Sequence, residues 1–134
     1  MVKLQPRTQA QIALIEQREI VFDTDNNLVT KAYDILSDLY DISGVNIFLN
    51  KKIPIGSGLG GGSSNAATTL LALNEIYKLN ISKNDLVKIS EEIGADVPFF
   101  INGGAACVKG KGEIIKNISI GNKFFILILP NINI

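Results

Sequence analysis

The 134 residues contain no histidine. That absence removes a Ser-His-Asp triad, a Cys-His pair and most zinc sites. General base chemistry is left to Asp, Glu, Lys or Tyr. Cysteine is nearly absent as well. Cys107 stands alone, which excludes an internal disulfide and fits a reducing cytosol. Set among small residues, it reads as a buried small side chain. There is no charge excess of either sign, with 13 basic and 13 acidic residues. This argues against a nucleic-acid partner, while leaving room for a local basic spot. No apolar run approaches a membrane span, the longest being Phe124 to Pro130, and the N-terminus carries no signal-peptide core. The expectation is a cytoplasmic chain with neither membrane nor nucleic acid as partner.

What is present is enough apolar material for a real core, at 46% of residues. Residues 1 to about 11 are polar and read as loose. Ile12 to Ile15 and Glu19 to Phe22 read as short strands or one interrupted strand, and "DTDNN" (23–27) as a turn offering several helix caps. From Asn27 to about Tyr40, Leu28, Ala32, Ile35, Leu36 and Leu39 recur at helical spacing. Val45, Ile47 and Leu49 alternate with Asn46 and Phe48, a strand pattern. A second helix carries Ala66, Leu70, Leu73 and Tyr77 on one face, with Ala67 and Leu71 beside it, and stops at Asn80. "SKND" (82–85) reads as a capping box opening a third helix that Gly94 ends. Residues 95–115 read as a turn, an apolar segment, a glycine pair and strand-like pieces. "FFILILP" (124–130) reads as a buried strand. Tyr33, Tyr40 and Tyr77 take core or boundary positions. With no internal repeat and no linker, the reading is one domain over 1–134, of α+β class.

The stretch "PIGSGLGGGSSNAA" (54–67) stands apart, with five glycines between 56 and 62 followed by two serines at a helix start. Glycine weakens regular structure, so such a cluster points to backbone that must approach something closely. It is not a P-loop, because no lysine precedes Ser63. Gly56, Gly58 and Gly61 match G-x-G-x-x-G, but Asn50 to Ile55 separate them from the strand, and the acidic residue about 20 positions on is Glu75, within a helix. A dinucleotide-binding oxidoreductase is therefore the weaker alternative. The better reading is a loop whose amides, with the following helix N-terminus, face phosphates. Ser63 and Ser64 supply hydroxyls there, and Lys51 and Lys52 supply local charge. A tight packing corner is the plainer alternative for the glycines. Lys51 and Lys52 likewise read as an ordinary solvated pair, and Asp23, Asp25, Glu91 and Glu92 as solvated or capping.

Pro54 to Ala67 resembles the phosphate-binding motif of the GHMP kinase superfamily. "GLGGGSSNAA" followed by "LLALN" (70–74), with "IGADVPFF" (93–100), "GKGE" (110–113) and "DNNLVTKA" (25–32), is most similar to one branch of it. That branch phosphorylates the 2-hydroxyl of a cytidine-diphosphate-linked methylerythritol in non-mevalonate isoprenoid synthesis. The resemblance implies ATP as phosphoryl donor and Mg²⁺ bridging its phosphates, and it names no metal ligands. It implies that Pro54, Gly56, Gly58, Leu59, Gly60, Gly61, Gly62, Ser63 and Ser64 line the phosphates. Asn27, Leu28 and one of Lys51 or Lys52 would lie on the nucleoside side. Asp96 would be the catalytic base; on the residues alone it reads as a turn cap. The implied fold is the N-terminal GHMP kinase domain, like domain 2 of ribosomal protein S5, with a mixed sheet packed on helices. Residues 1–19 lack the family's A-K-[IL]-N-L strand, whose lysine assists the aspartate, and no G-Y-H segment follows. The chain therefore reads as the central portion of such an enzyme, without its C-terminal domain. Expected consequences are turnover lowered by orders of magnitude, nucleotide binding without catalysis as the alternative function, and self-association through exposed apolar surface.

Overall fold

A computed structural model describes residues 9–13, 27–51, 53, 56–110, 112, 114–121, 124 and 126–128. The expectations for residues 1–8, the strand pieces at 14–15 and 19–22, the turn at 23–26, Lys52, Pro54 and 129–130 lie outside the described residues.

Helix α1 (Leu28–Leu39) starts where Asn27, in extended conformation, accepts a hydrogen bond on Oδ1 from Val29 N at 2.9 Å. That is a side-chain cap on an otherwise orphaned N–H. Its buried stripe is Val29, Ala32 and Leu36; Leu39 is exposed, so the face is turned slightly from the one the sequence suggested. Strand β1 (Gln9–Ala13) pairs antiparallel with β2 (Asn46–Asn50), Gln9 opposite Asn50 and Ala13 opposite Asn46. The segment expected to be loose up to residue 11 is thus strand from Gln9 onward, because β2 supplies hydrogen-bonding partners that local polarity does not reveal. Val45 and Ile47 point into the core and Phe48 points out, as the alternation predicts.

Helix α2 (Gly61–Ile76) buries Ala66, Ala67, Leu70 and Leu73 against α1 and the rest of the core. Small residues at 32, 66 and 67 let helix backbones come close. Leu71, expected beside that face, is exposed, while Thr69 and Asn65 are buried. Thr69 resolves its own polarity by donating to Asn65 O at 2.9 Å. The helix ends at Ile76 rather than Asn80. Lys78 and Asn80 take left-handed conformations, and Leu79 N donates back to Asn74 O at 3.0 Å, a Schellman-type closure. Asn74 then clamps the connection by exchanging two hydrogen bonds with the Ile81 backbone.

Ser82 caps α3 (Lys83–Glu91) as expected, accepting from Asp85 N at 3.2 Å and donating to Asp85 Oδ2 at 2.6 Å. The Ser82 hydroxyl, and after it Lys88, hold the Asp85 carboxyl below its ordinary value of 3.8. A folded value below the unfolded one gives stability that is complete above the ordinary value and is lost as pH falls through the lowered one. Ser82→Ala should cost about 1 kcal/mol in urea denaturation at neutral pH. The stability difference between the parent and Asp85→Asn should shrink as pH drops below 3.8.

The apolar segment after Asp96 is a short helix, α4 (Val97–Asn102), with Pro98 in its first turn, where no N–H is needed. Val97 and Ile101 join the core. Strands β3 (Ala105–Lys109) and β4 (Ile114–Ile118) form an antiparallel ribbon. Strand pairs among the described residues are antiparallel, where the resemblance implies a mixed sheet. Helices and antiparallel strand pairs combine as β1-α1-β2-α2-α3-α4-β3-β4, an α+β organisation as expected.

Two expectations are corrected. Cys107 is exposed rather than buried, because the β3–β4 ribbon is uncovered on its side. The run from Phe124 is neither strand nor buried over its described residues, with Phe124, Ile126 and Ile128 more than four-fifths exposed. An apolar run buries only where a partner surface meets it, and none of the described residues does so.

Candidate functional site: a glycine loop facing a carboxylate

In the loop before α2, Gly56, Gly58 and Gly60 all take left-handed conformations, at φ 72°, 68° and 66°. Alternating left-handed and ordinary residues turns successive N–H groups toward one side, the backbone pattern of anion-binding concavities. A Cβ placed on Gly56 or Gly58 would meet nothing within 4 Å, so open space lies in front of that backbone. Gly60 is different. A Cβ there would lie 2.7 Å from Phe100 Cζ, and one on Gly61 would lie 3.0 Å from Ile53 Cγ2. The loop is seated on the core at Gly60 and Gly61 and open at Gly56 and Gly58.

Gly60 is also the N-cap of α2, and it brings no side chain to the helix start. No acidic residue occupies the first turn. Ser64 N is satisfied by Gly60 O at 2.9 Å, and the amides of Gly61, Gly62 and Ser63 have no backbone partner among the described residues at the start of this 16-residue helix. Such an end attracts anions through its donors and its partial positive charge. The Ser63 and Ser64 hydroxyls, half-buried in that first turn, have no hydrogen-bond partner among the described residues.

Asp96 faces this loop. A cleft of about 300 Å³ is lined by Gly58, Leu59 and Gly60 on one side and by Ala95 and Asp96 on another, with Phe99, Phe100, Ala106 and Val108 completing the wall. Asp96 takes the N-cap position of α4 but makes no capping hydrogen bond, so the turn-cap reading fails for its side chain. Among the described residues its carboxylate has no partner. An exposed, uncommitted carboxylate across a cleft from such a loop can accept a proton from a hydroxyl held between them.

The other expected site residues that are described, Gly56, Gly61, Gly62, Ser63, Ser64, Asn27, Leu28 and Lys51, do not line this cleft. Leu28 Cδ1 lies 3.5 Å from a Cβ built on Gly62, so the start of α1 stands beside the start of α2. Asn27 is therefore at the loop's flank, with Oδ1 committed to capping. Lys51 is exposed just after β2. Lys52 and Pro54 lie outside the described residues. Sequence reasoning missed Phe99, Phe100, Ala106 and Val108 as walls. The "PFF" of 98–100 was the available signal, but only tertiary packing brings β3 alongside it.

Residues 27–104, more than half of the chain, match the profile of the GHMP kinases N-terminal domain. The chain belongs to the GHMP kinase family. Within the family, the chain is 42% identical over 136 residues to the 4-diphosphocytidyl-2-C-methyl-D-erythritol kinase of Buchnera aphidicola subsp. Schizaphis graminum, covering 96% of this chain and 47% of that protein. It is 44% identical over 112 residues to the enzyme of the same name from Prochlorococcus marinus strain MIT 9515, covering 82% and 36%. A crystal structure of 4-(cytidine 5'-diphospho)-2C-methyl-D-erythritol kinase superposes with a TM-score of 0.73 at 35% identity, over 84% of this chain and 42% of that one. This GHMP kinase domain thus spans less than half the length of these relatives. No helix of the described residues is long and apolar enough to cross a membrane.

Proposed function

We propose that this chain binds ATP through the 56–64 loop and the α2 N-terminus, and takes part in phosphorylating the 2-hydroxyl of 4-diphosphocytidyl-2-C-methyl-D-erythritol. The observation that carries the reading is the shared cleft, with left-handed glycines on one wall and the uncommitted Asp96 carboxylate on the other. Relatives with that name at more than 40% identity support the substrate.

The chemistry asked of the residues is limited. Phosphoryl transfer depends on positioning and on neutralising charge. The amides of the loop and helix end would hold the phosphates, with the Ser63 and Ser64 hydroxyls adding donors. The acceptor hydroxyl would lie against Asp96, which takes its proton as the oxygen bonds to the γ-phosphorus. The bond from that phosphorus to the β–γ bridging oxygen breaks, and ADP leaves. Asn27, Leu28 and Lys51 would flank the nucleoside.

No group of three or more acidic, cysteine or histidine side chains among the described residues could hold a metal. Mg²⁺ arriving with ATP needs no such group, since the ion is usually held by substrate phosphates and only one or two protein groups. When bound it offsets the phosphate charge. Asp96 and the Ser63 and Ser64 hydroxyls are the oxygen groups of this site that would hold the ion.

Titration with a non-hydrolysable ATP analogue and Mg²⁺ tests the reading. Saturable binding by the folded chain supports it. Binding without any phosphoryl transfer to the cytidine-linked substrate would make this chain a nucleotide-binding module. Tighter binding of a nicotinamide dinucleotide than of ATP would overturn the proposal.

A further inference from the structure

We propose that Gly112 is a positioning residue for Asp96, an inference that rests on the phosphoryl-transfer reading above. Gly112 lies in the turn between β3 and β4, is buried, and has φ 119°. A Cβ built on it would lie 2.3 Å from the carbonyl oxygen of Ala95, 3.0 Å from its carbonyl carbon and 3.3 Å from its Cβ. The turn of the ribbon therefore sits directly on the peptide that precedes Asp96. The obstructing atoms are backbone, which cannot swing aside as a side-chain tip can.

The contact matters because nothing else fixes Asp96 through its side chain. The carboxylate has no partner among the described residues, so its position is that of its backbone. That backbone is held on its inner side by Val97 N donating to Gly94 O at 3.0 Å. Lys31 Nζ donates to the carbonyls of Glu92 at 2.6 Å and Ile93 at 3.4 Å just upstream. Gly112 closes the outer side. The same ribbon carries Ala106 and Val108, which wall the cleft opposite the glycine loop. One close approach thus sets both the place of the carboxylate and the width of the cleft. Gly104 and Gly121 show the contrast, with left-handed φ but open space where a Cβ would be.

The experiment compares Gly112→Ala with Gly104→Ala in the full chain, the second carrying backbone strain without the contact. Gly112→Ala should move the amide resonances of Asp96, Ala106 and Val108. It should lower phosphoryl transfer roughly 100-fold, the scale of a misplacement near 1 Å. Affinity for the ATP analogue should stay within about threefold, the split expected when a reacting group moves and the binding loop does not. Gly104→Ala should lose stability while transferring as the parent does. An unmoved Asp96 resonance in folded Gly112→Ala overturns the inference, as does an equal loss of transfer in both variants. Should Gly112→Ala fail to fold, the parent decides. Nuclear Overhauser contacts between the Gly112 α-protons and the Ala95 methyl support the seating, and their absence overturns it. A folded parent that does not bind the ATP analogue sinks the kinase reading instead, and the Asp96 resonance still reports on Gly112.

Discussion

Asp96→Asn should abolish phosphoryl transfer, by about 10²–10⁴-fold, while binding of the ATP analogue stays near the parent value. The amide keeps the shape of the carboxylate and loses its basicity. Its effect on folding should be negligible, because the Asp96 side chain makes no cap bond to α4. Asp96→Ala sharpens the test. A working N-cap replaced by alanine costs about 1 kcal/mol. Here urea denaturation should register less than about half of that, while transfer falls as in the Asn variant. Full turnover in Asp96→Asn would remove the base from the mechanism. A large stability loss in Asp96→Ala would return the residue to a capping role.

How far this site was legible depends on the distance over which each feature is encoded. The Ser82–Asp85 box is written within three residues and occurs as the local pattern predicts, and Asn27 proves to be the cap among the several that 23–27 offers. The glycine loop is similarly local, since left-handed φ at 56, 58 and 60 is a property of glycine itself. On the residues alone "ADVP" reads as a turn cap, and the carboxylate left unused beside the cleft is visible only in the structure. Features set by distant partners were not legible. Strand β1 begins at Gln9 because β2 lies opposite, and the wall of Ala106 and Val108 exists because the ribbon folds back over Ala95. The described residues of the run from Phe124 show the reverse error. A continuous apolar stretch has the same pattern whether buried or uncovered, and burial is a fact about its neighbours.

Alanine placed in turn at Gly58, Gly60, Gly61 and Gly62 should separate a phosphate cradle from a packing corner, because the four sites differ in what surrounds them. At Gly62 the conformation is helical and a Cβ would make an ordinary 3.5 Å contact with Leu28 Cδ1, so stability should rise by about 0.5 kcal/mol. At Gly61 the new atom falls 3.1 Å from Ile53 Cβ, an atom fixed near the backbone, and overpacking should cost about 1–3 kcal/mol. At Gly60 the left-handed backbone costs about 1–2 kcal/mol before the Phe100 ring, 2.7 Å away, is displaced. That ring packs edge-on against Phe99 at 5.0 Å, so its movement also reshapes the cleft. Gly58 is the decisive position. It carries the same backbone cost as Gly60 but no crowding, and its Cβ would stand in the empty space that a phosphate would fill. If the loop cradles phosphate, Gly58→Ala should lose at least about tenfold in affinity for the ATP analogue, more than its stability loss accounts for, because it both blocks the approach and misdirects an amide. Gly62→Ala, more stable than the parent, should bind as the parent does. If the loop is only a corner, analogue binding will follow melting temperature across all four variants and Gly58 will not stand out.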